Sequence, residues 1–535
     1  MYSLDLNAVS GNKAVGLLKM DFLGLRNLTI LEDTLKFIQQ TNGKKLILND
    51  LPLDDKKTYE LISRGETIGV FQLESGGMRR LAKDLGPERI SDITAMVALY
   101  RPGPMDLIPM FIEGKKNPDK IEYLHESLRP ILSETYGILV YQEQVMEIAH
   151  QLAGYSLGEA DNLRRAMGKK KKEIMEKERE KFVEGAFKKG IPKRISKEIY
   201  SFVEKFAAYG FNKPHSACYA LIAYWTAYMK ANYPVEFMTA LLSAELQGVA
   251  GPLREIKMST AFEECRRMNI TILQPDINKS EFSFSIEDGK IRFGMSAIKN
   301  VGASAIESIV EARKDAPFIG FKDFLMKVDL RKVNKKTVES LVKSGAFDRF
   351  TNRNTVLTYY PEVVRDISDR KEEKEKGQFG LFGQDQHDGQ LKDNFKPLDE
   401  LSDEDIIKYE REVIGYIVSR DPLASYRKII EEKASKKIGR ITLDDSNRTH
   451  IIAGIISGKK IIKTKKDNSE MVFLNVYDQT GSIEVVAFPK AYAKLKSLFE
   501  INNVVLMKGK ISDRDGNVSM LLDNAVSLEG YANKR

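Results

Sequence analysis

The sequence predicts a multidomain α+β protein, because three regions of different character follow one another along the chain. Helix-like stretches separated by Gly- and Pro-containing breaks run from about residue 54 to 247. A smaller α-rich unit follows, to about residue 350, and short β-forming runs separated by turn residues recur from about residue 449 to 529. At 535 residues, of which 42% are apolar, the chain is long enough for roughly three to five domains.

Composition excludes several classes of protein. Lys and Arg number 84 against 76 Asp and Glu, and this formal excess of 8 positive charges is too mild to name a polyanionic partner by itself. The two cysteines, Cys218 and Cys265, lie far apart, which favours neither a disulfide framework nor a thiolate metal site and indicates a reducing, cytoplasmic setting. Because the N-terminus, MYSLDLNAVSGNK, has no basic region followed by an apolar core, we do not expect secretion. No later apolar run approaches the ~18 residues that span a bilayer, so we do not expect membrane insertion either.

The first predicted element is a strand over residues 15–25, VGLLKMDFLGL, followed by a helical pattern from residue 27 to 40. Alternation along a strand places Lys19, Asp21 and Leu23 on one face. The residues alone leave Asp21 open to several interpretations: a structural ion-pair partner of Lys19, an edge residue, or a carboxylate with a chemical role.

The α-rich unit contains FGMSAIKNVGASAIESIVEAR, which predicts a short helix, a hairpin from Lys299 to Gly302 and a second helix. Gly302 permits a tight hairpin whose backbone amides can bind one phosphate without reading bases. The hairpin motif does not decide this role by itself, and its position in the chain is what favours assigning Lys299 and Gly302 to DNA binding.

Residues 365–405 change character. They are dense in charge and poor in apolar residues, which predicts a mobile linker. Within them stands an isolated apolar island, QFGLF, that contains Gln378, Leu381 and Phe382. Bulky apolar residues in such a polar segment either have no function or anchor the segment in a partner's pocket.

The C-terminal β-forming runs, five in number with the helical stretch YAKLKSLFE, predict an OB-fold barrel. Such a barrel binds single-stranded nucleic acid by stacking bases on aromatic rings beside lysines. Some of these aromatic residues are expected to belong to the core instead. The candidates are Phe473, Tyr477, Phe488, Lys459, Lys460, Lys465 and Lys466.

Several long strings resemble the C-family of bacterial replicative DNA polymerases, the polymerase III alpha subunits. The resemblance continues through the hairpin unit, the island and the barrel, so it covers nearly the whole chain. The matching strings are GLLKMDFLGLRNLT, GVFQLESGGMRRL, ALYRPGPMD, YGILVYQEQVMEIAHQLAGYSLGEADNLRRAMGKKK and FAAYGFNKPHSACYALIAYWTAYMKANYPVEFM.

The resemblance implies a domain for each part of the chain. Residues 1–50 resemble the last part of the polymerase palm, and 51–250 resemble the fingers. Residues 251–350 resemble a helix-hairpin-helix DNA-binding unit, 351–445 a linker with a sliding-clamp-binding peptide, and 446–535 an OB-fold domain.

The same resemblance implies DNA-templated DNA synthesis in chromosome replication, by nucleotidyl transfer from a dNTP to the primer 3′ end. Two Mg²⁺ ions held by shared carboxylates stabilise the transition state of such a transfer. Asp21 matches the family's third catalytic carboxylate, which is a metal ligand, and Lys19 would contact the triphosphate.

The family's first two catalytic aspartates have no match in this sequence. It contains no PDFDVDF-type pair, no PGRGS-type loop and only five scattered histidines, so the family's PHP metal domain is also without a match. We therefore expect a C-terminal half that begins inside the palm, needs the missing N-terminal half of the polymerase and does not extend primers alone. The alternative is a non-catalytic DNA- and clamp-binding module in which Asp21 is structural.

A first nucleotide-binding cluster is predicted in the fingers. The string GEADNLRRAMGKKKK supplies Arg164, Arg165 and Lys169, which suit a triphosphate or a DNA backbone. Composition alone favours a solvated basic helix end, whereas in the family this helix faces the incoming nucleotide.

A second cluster is predicted where FNKPHSACYALIAYW begins a helix. Asn212, Lys213, His215 and Ser216 stand at this start, where free backbone amides would point at bound phosphate. An ordinary N-cap is the alternative, and both interpretations can hold together.

Other finger residues belong to strings that the family places around template and nucleotide, without readable individual roles. These are Gln72, Ser75, Arg79, Arg80 and Arg101.

The island resembles the sliding-clamp-binding peptide of replicative polymerases, with Gln378, Leu381 and Phe382 as the contact residues. Five residues match by chance easily, so its position between the hairpin unit and the barrel carries the interpretation. The partners implied are primer–template DNA, dNTPs, the beta sliding clamp and other replicase subunits.

Overall fold

A computed structural model of the chain describes residues 24–168, 172–207, 209–248, 251–375, 393, 395–464, 467–478, 480–514 and 517–532. These residues form a helical region, an α-rich unit with a small sheet, and a β-barrel. The predicted multidomain α+β class is confirmed. No described helix has the length and apolar character needed to cross a membrane.

The N-terminal helical region is built from helices whose ends follow the polar, Gly and Pro breaks of the sequence. Asp55, Ser75 and Asn212 each cap a helix by accepting a backbone N–H, and Gly86 and Gly154 end helices in the left-handed conformation. The helices are α1 Arg26–Asn42, α2 Lys56–Ser63, α3 Gly76–Leu85, α4 Ile90–Leu99, α5 Ile108–Lys116, α6 Arg129–Leu132, α7 Gln142–Ala153, α8 Leu157–Gly168, α9 Lys172–Lys188, α10 Lys193–Ala207, α11 Lys213–Asn232 and α12 Pro234–Gly248.

Separate apolar cores stabilise this region. One core joins α2, α3 and α4 to α11 through buried residues such as Ile62 and Ala223. A second core joins α7, α8, α9 and α10 through residues such as Ile148 and Phe182. Helix α11 contributes Ala220 and Tyr224 to the first core, and Met229 near its end belongs to a core shared with α12.

A third core joins parts of the chain that are distant in sequence. It packs α1 and α12 against α13 (Pro252–Arg267) and a three-stranded sheet, through residues that include Ile38, Phe237 and Phe293. The strands are β1 Ile272–Leu273, β2 Ser285–Glu287 and β3 Lys290–Arg292, in the order β1-β3-β2, with β1 parallel and β2 antiparallel to β3. Residues on both sides of the boundaries predicted at 50 and 250 therefore pack in one core.

The helix-hairpin-helix unit contains α14 Ala303–Ala312, α15 Phe321–Lys327 and α16 Lys335–Lys343. Its turn differs from the prediction. Asn300, with φ of +65°, occupies the left-handed position, whereas Gly302 is extended (φ −82°, ψ 165°) and is the N-cap of α14. Asn tolerates the left-handed region and fastens this turn by donating from Nδ2 to Ser340 Oγ (3.0 Å).

Much of the predicted linker, residues 351–445, is folded. Its described residues include α17 Arg353–Glu375, α18 Asp403–Val413 and α19 Arg427–Lys433. Arg353 is buried and donates to Glu410 Oε1 (2.8 Å) and Asp348 Oδ2 (3.0 Å), so these charged side chains are paired inside the protein. The island residues Gln378, Leu381 and Phe382 lie outside the described residues.

The C-terminal domain is a closed five-stranded barrel, which confirms the predicted OB-fold. The strands follow the order β4-β5-β6-β8-β7, and β7 closes the barrel by antiparallel pairing with β4. Their bounds are β4 Thr449–Lys463, β5 Glu470–Tyr477, β6 Ser482–Ala487, β7 Val504–Arg514 and β8 Asn517–Ser527, with helices α20 Pro489–Leu495 and α21 Leu528–Ala532.

Candidate nucleotide and DNA interface

The two predicted arginines of α8 have different environments. Arg164 donates from Nε (2.9 Å) and Nη2 (2.7 Å) to Asp161 Oδ1 and from Nη1 to Gln142 Oε1 (2.9 Å), and its side chain is only 25% exposed. Arg165 is 65% exposed and pairs with Asp161 Oδ2 (2.8 Å). The hydrogen bond from Arg164 and the two positive charges lower the pKa of Asp161, so this carboxylate stays ionised and holds both side chains. Lys169 lies outside the described residues.

Gln142, which no motif of the sequence singles out, links the two predicted clusters. Its side chain accepts from Arg164 and donates from Nε2 to Gly210 O (3.0 Å), while its backbone N–H donates to Phe211 O (2.9 Å). The start of α7 therefore fastens the α8 arginine to the segment that leads into α11. A polar residue at a helix start beside a Gly-containing loop was the only signal in the sequence.

The amides at the start of α11 are already used. Asn212 Oδ1 accepts from His215 N–H (3.0 Å), and Glu143 Oε2 accepts from Lys213 N–H (2.9 Å). Lys213 Nζ donates to Glu134 Oε2 (2.6 Å). The N-cap interpretation is thus seen directly, and Glu143 stands where the sequence predicted a phosphate. A phosphate bound here must displace this carboxylate from the Lys213 N–H or share that N–H with it.

The remaining residues of this cluster point in different directions. The exposed His215 ring packs 4.4 Å from the ring of Tyr219, measured between centroids. Ser216 is fully buried and donates to Thr94 O (2.6 Å), so the structure places it inside the protein and away from a surface ligand. This differs from its predicted role, because the hydroxyl satisfies a backbone carbonyl of α4.

Arg101 lies beside the start of α11. Its guanidinium lies 4.6 Å from the centroid of the Phe211 ring, and it donates from Nε to Ala98 O (2.9 Å) and from Nη2 to Tyr209 O. Burial lowers the pKa of Arg101 from its ordinary value. The side chain is thereby held beside the loop that carries Asn212.

The predicted barrel residues face the helical region. Lys459, Lys460 and Phe473 line a cleft of about 930 Å³ between the barrel and helices α3 and α13. Lys459 Nζ also donates to Glu500 Oε1 (2.8 Å). The opposite wall of the cleft carries the basic residues Arg79, Arg80, Lys83, Lys257 and Arg267.

Two aromatic candidates of the barrel differ in their exposure to solvent. Tyr477 is 8% exposed and its ring lies 3.7 Å from the guanidinium of Arg266, measured to the ring centroid, so it belongs to the contact with α13. Phe488 is 49% exposed. In the hairpin unit, Lys299 and Gly302 are both exposed, and Lys299 N–H donates to Val413 O (2.8 Å).

Comparison with known proteins agrees with this arrangement. The model of the bacterial DNA polymerase III alpha subunit finger domain matches residues 27–190, a helix-hairpin-helix motif matches 269–356, and an OB-fold nucleic acid binding domain matches 450–528. The DNA polymerase III subunit alpha of Thermus aquaticus is 42% identical over 496 residues, which are 91% of this chain and 40% of that protein. The chain belongs to the bacterial DNA polymerase III alpha subunit family.

Other members of the family match over the same extent. The DNA polymerase III subunit alpha of Bacillus subtilis is 39% identical over 516 residues, 96% of this chain and 45% of that protein. That of Aquifex aeolicus is 40% identical over 524 residues, 97% of this chain and 43% of that protein. The chain thus spans less than half the length of these polymerase III alpha subunits.

The metal centre expected for a DNA polymerase III alpha subunit does not fit the described residues. Among them, no three His, Cys, Asp or Glu side chains are grouped so that they could hold a metal ion. Lys19 and Asp21, the residues predicted for triphosphate and metal, lie outside the described residues.

Proposed function

We propose that this chain carries the finger, helix-hairpin-helix and OB-fold parts of a DNA-templated DNA polymerase that transfers nucleotides from dNTPs to a primer 3′ end. The observation that supports this proposal most is the match of all three units, in order, to DNA polymerase III alpha subunits at about 40% identity over at least 91% of the chain. A single nucleic-acid-binding domain also occurs in proteins of unrelated function, whereas three such units in the same order point to one family.

The surface formed by Arg164, Arg165 and the start of α11 supports a phosphate-binding role. Arg165 is exposed beside the fixed Arg164, and Gln142 joins Arg164 to the segment that leads into α11, where Lys213 and His215 stand. Positive side chains at a helix start suit a triphosphate or a DNA backbone. We propose that a bound phosphate competes with Glu143 for the Lys213 amide.

For the metal, we propose Mg²⁺ with Asp21 as one ligand. A two-metal site needs more carboxylates than one, and the sequence has no PDFDVDF-type pair that could supply them. We propose that the other carboxylates come from polymerase palm sequence outside this chain.

Primer extension with Mg²⁺ and dNTPs tests this function. We expect extension when the chain is mixed with a separately expressed N-terminal half of a relative, and its loss in Asp21→Asn. The chain alone, the partner alone and the Lys36→Gln variant, changed at an exposed lysine, are the controls. Absence of extension in the mixture, or full extension by Asp21→Asn, contradicts the proposal.

DNA binding is proposed to use the hairpin unit and the barrel, with Lys299, Gly302, Lys459, Lys460 and Phe473 as contacts. Since lysines that contact phosphates release counterions, affinity for a primer–template should fall steeply with added salt. Fluorescence anisotropy over a salt series measures this slope, and Lys460→Gln should make it shallower by about one unit.

Clamp binding is proposed for the island. We expect Leu381→Ala with Phe382→Ala to abolish binding to an immobilised beta sliding clamp while binding to a short primer–template stays unchanged. Retained clamp binding by this variant contradicts the assignment. Gln378→Ala should weaken the interaction less, because apolar anchors contribute most to such peptides.

A further inference from the structure

The last residues of α18 lie against the hairpin that is predicted to bind DNA. Lys299 N–H donates to Val413 O (2.8 Å), so one backbone amide of the hairpin is already bonded to the end of this helix. Val413 O is among the last four carbonyls of α18, which have no partner inside a helix. A segment that the sequence presents as a linker therefore covers part of the candidate DNA surface.

The neighbouring residue, Glu412, bonds to a lysine of the hairpin unit. Lys343 Nζ, on α16, donates to Glu412 Oε1 (2.9 Å) and Oε2 (2.8 Å) and lies 4.7 Å from the centroid of the Tyr409 ring, also on α18. The Lys343 side chain is 18% exposed, whereas that of Glu412 is 47% exposed. The lysine is thus covered by α18, and the carboxylate that covers it still reaches solvent.

Two further lysines belong to the elements beside this pair. The hairpin is fastened to α16, because Thr337 Oγ1 donates to Asn300 O (2.8 Å) and Asn300 Nδ2 donates to Ser340 Oγ (3.0 Å). Lys299 directly precedes Asn300, and Lys336 directly precedes Thr337, so these bonds hold the two lysines on adjacent segments. Both lysines are exposed.

All three lysines act on the charge of Glu412. The hydrogen bond from Lys343 and the positive charges of Lys343, Lys336 and Lys299 lower the pKa of Glu412 from its ordinary value. The carboxylate is therefore ionised at neutral pH and stands among positive charges of the hairpin and of α16. Lysines grouped around one anion are also how proteins hold a backbone phosphate of DNA.

We propose that a phosphate-binding site for duplex DNA is formed by Lys299, Lys336 and Lys343, and that an internal carboxylate occupies it. The carboxylate of Glu412 and a backbone phosphate each carry a negative charge on oxygen, so the phosphate has to displace Glu412 from these lysines or share them with it. Glu412 therefore lowers the affinity of the hairpin unit for DNA. This inference rests on the proposed DNA binding by the hairpin unit, and it adds two further contacts and an inhibitory residue.

Binding of a blunt-ended duplex by the full chain, measured by fluorescence anisotropy over a salt series, tests the inference. Glu412→Gln removes the charge and keeps the size of the side chain. We expect it to raise the affinity about three- to tenfold at ~0.1 M salt and to make the salt dependence steeper by about one unit, because one more phosphate is neutralised. Glu404→Gln, at an exposed carboxylate of the same helix, changes the net charge equally and should leave both quantities unchanged.

A second substitution separates this site from the general effect of charge. In the Glu412→Gln background, Lys336→Gln should remove most of the gain in affinity, whereas Lys36→Gln, at an exposed lysine of α1, should not. Melting temperatures verify that each variant is folded.

Two results would overturn the inference and leave the proposed DNA binding standing. The first is an affinity for the duplex that is the same in Glu412→Gln and in the unchanged chain. The second is an equal gain in Glu404→Gln, since the effect would then come from net charge alone. Absence of duplex binding by all of these chains would contradict the proposed DNA binding together with the inference.

Discussion

The guanidinium of Arg266 lies 3.7 Å from the centroid of the Tyr477 ring and donates from Nη2 to Tyr416 Oη (2.6 Å). Arg266 belongs to α13, whereas Tyr477 ends strand β5, so this contact joins the helical region to the barrel. Neighbouring bonds support it: Ser259 Oγ donates to Ser457 O (2.7 Å), and Ser457 Oγ donates to Glu263 Oε2 (2.9 Å).

Arg266→Met should loosen the barrel from the helical region, because the cation–π contact and the bond to Tyr416 are both lost. For a desolvated contact of this kind we expect a loss of about 2 kcal/mol or more. Calorimetry should show the barrel unfolding in a separate, earlier transition. Tyr477→Phe keeps the ring and should cost less, about 1 kcal/mol. A single unchanged transition in Arg266→Met would show that the contact contributes nothing.

Lys230 should be essential for folding. It is fully buried and donates from Nζ to Glu264 Oε1 (2.5 Å), Glu66 O (2.8 Å) and Ile68 O (2.6 Å). Lys230→Met leaves these acceptors without a partner, and removal of one member of a buried ion pair costs about 3 to 5 kcal/mol. Urea unfolding measures the loss.

The control for Lys230 is Lys36→Met. Lys36 pairs with Glu32 (2.9 Å) and Asp33 (3.2 Å) on the exposed face of α1, so its replacement should change the unfolding midpoint little. Equal effects of the two variants would show that burial does not decide the importance of these pairs.

Glu159 should make stability depend on acid pH. Hydrogen bonds from Lys181 and from Ser156 lower the pKa of Glu159 to about 2 from an ordinary 4.5. Because the folded pKa is the lower one, the stabilisation is complete above pH 4.5 and is lost as the pH falls towards 2. The melting temperature of Glu159→Gln should therefore be lower than that of the unchanged chain at pH 7 and converge with it near pH 2. A constant difference across the pH range would contradict this, and Glu122→Gln, at an exposed carboxylate, is the control.

Gly185 should not tolerate a side chain. A Cβ there would lie 2.1 Å from Ala153 O, a backbone atom that cannot move aside cheaply. Gly185→Ala is therefore expected to destabilise the chain by about 1 to 3 kcal/mol. Gly158→Ala, at a helical glycine with no atom within 4 Å of its added Cβ, should instead stabilise it by up to about 1 kcal/mol. Comparison of their urea midpoints checks both signs, and equal midpoints would refute the close packing of α9 on α7.

Arg164 and Arg165 should respond differently to removal of charge. Arg165→Gln should weaken binding of triphosphate or DNA by about tenfold without a change in melting temperature, because the side chain is exposed. Arg164→Gln should lower both, since Arg164 also fastens Gln142. Affinity and melting temperature measured together separate the two roles, and a stable Arg164→Gln with normal affinity would contradict them.

The order of the regions could be predicted from the sequence because periodicity and turn residues are local. The helices and the five strands each show their own repeat of apolar residues, and five strands with one helical stretch are the pattern that predicted the OB-fold. The long sequence strings that resemble the family's fingers also predicted the family without any knowledge of tertiary contacts. Local signals of this kind persist whatever the neighbours are.

What the tertiary structure decided depends on contacts between residues far apart in sequence. The use of Glu143 at the start of α11, the burial of Ser216 against Thr94 and the pairing of Arg353 with Glu410 each join segments that no local pattern connects. The same holds for Tyr477, which the sequence offered as a base-stacking residue and which packing against Arg266 makes part of an interface. Charge and aromaticity are visible in a sequence, but whether they face solvent, a ligand or each other is settled only when distant segments pack together.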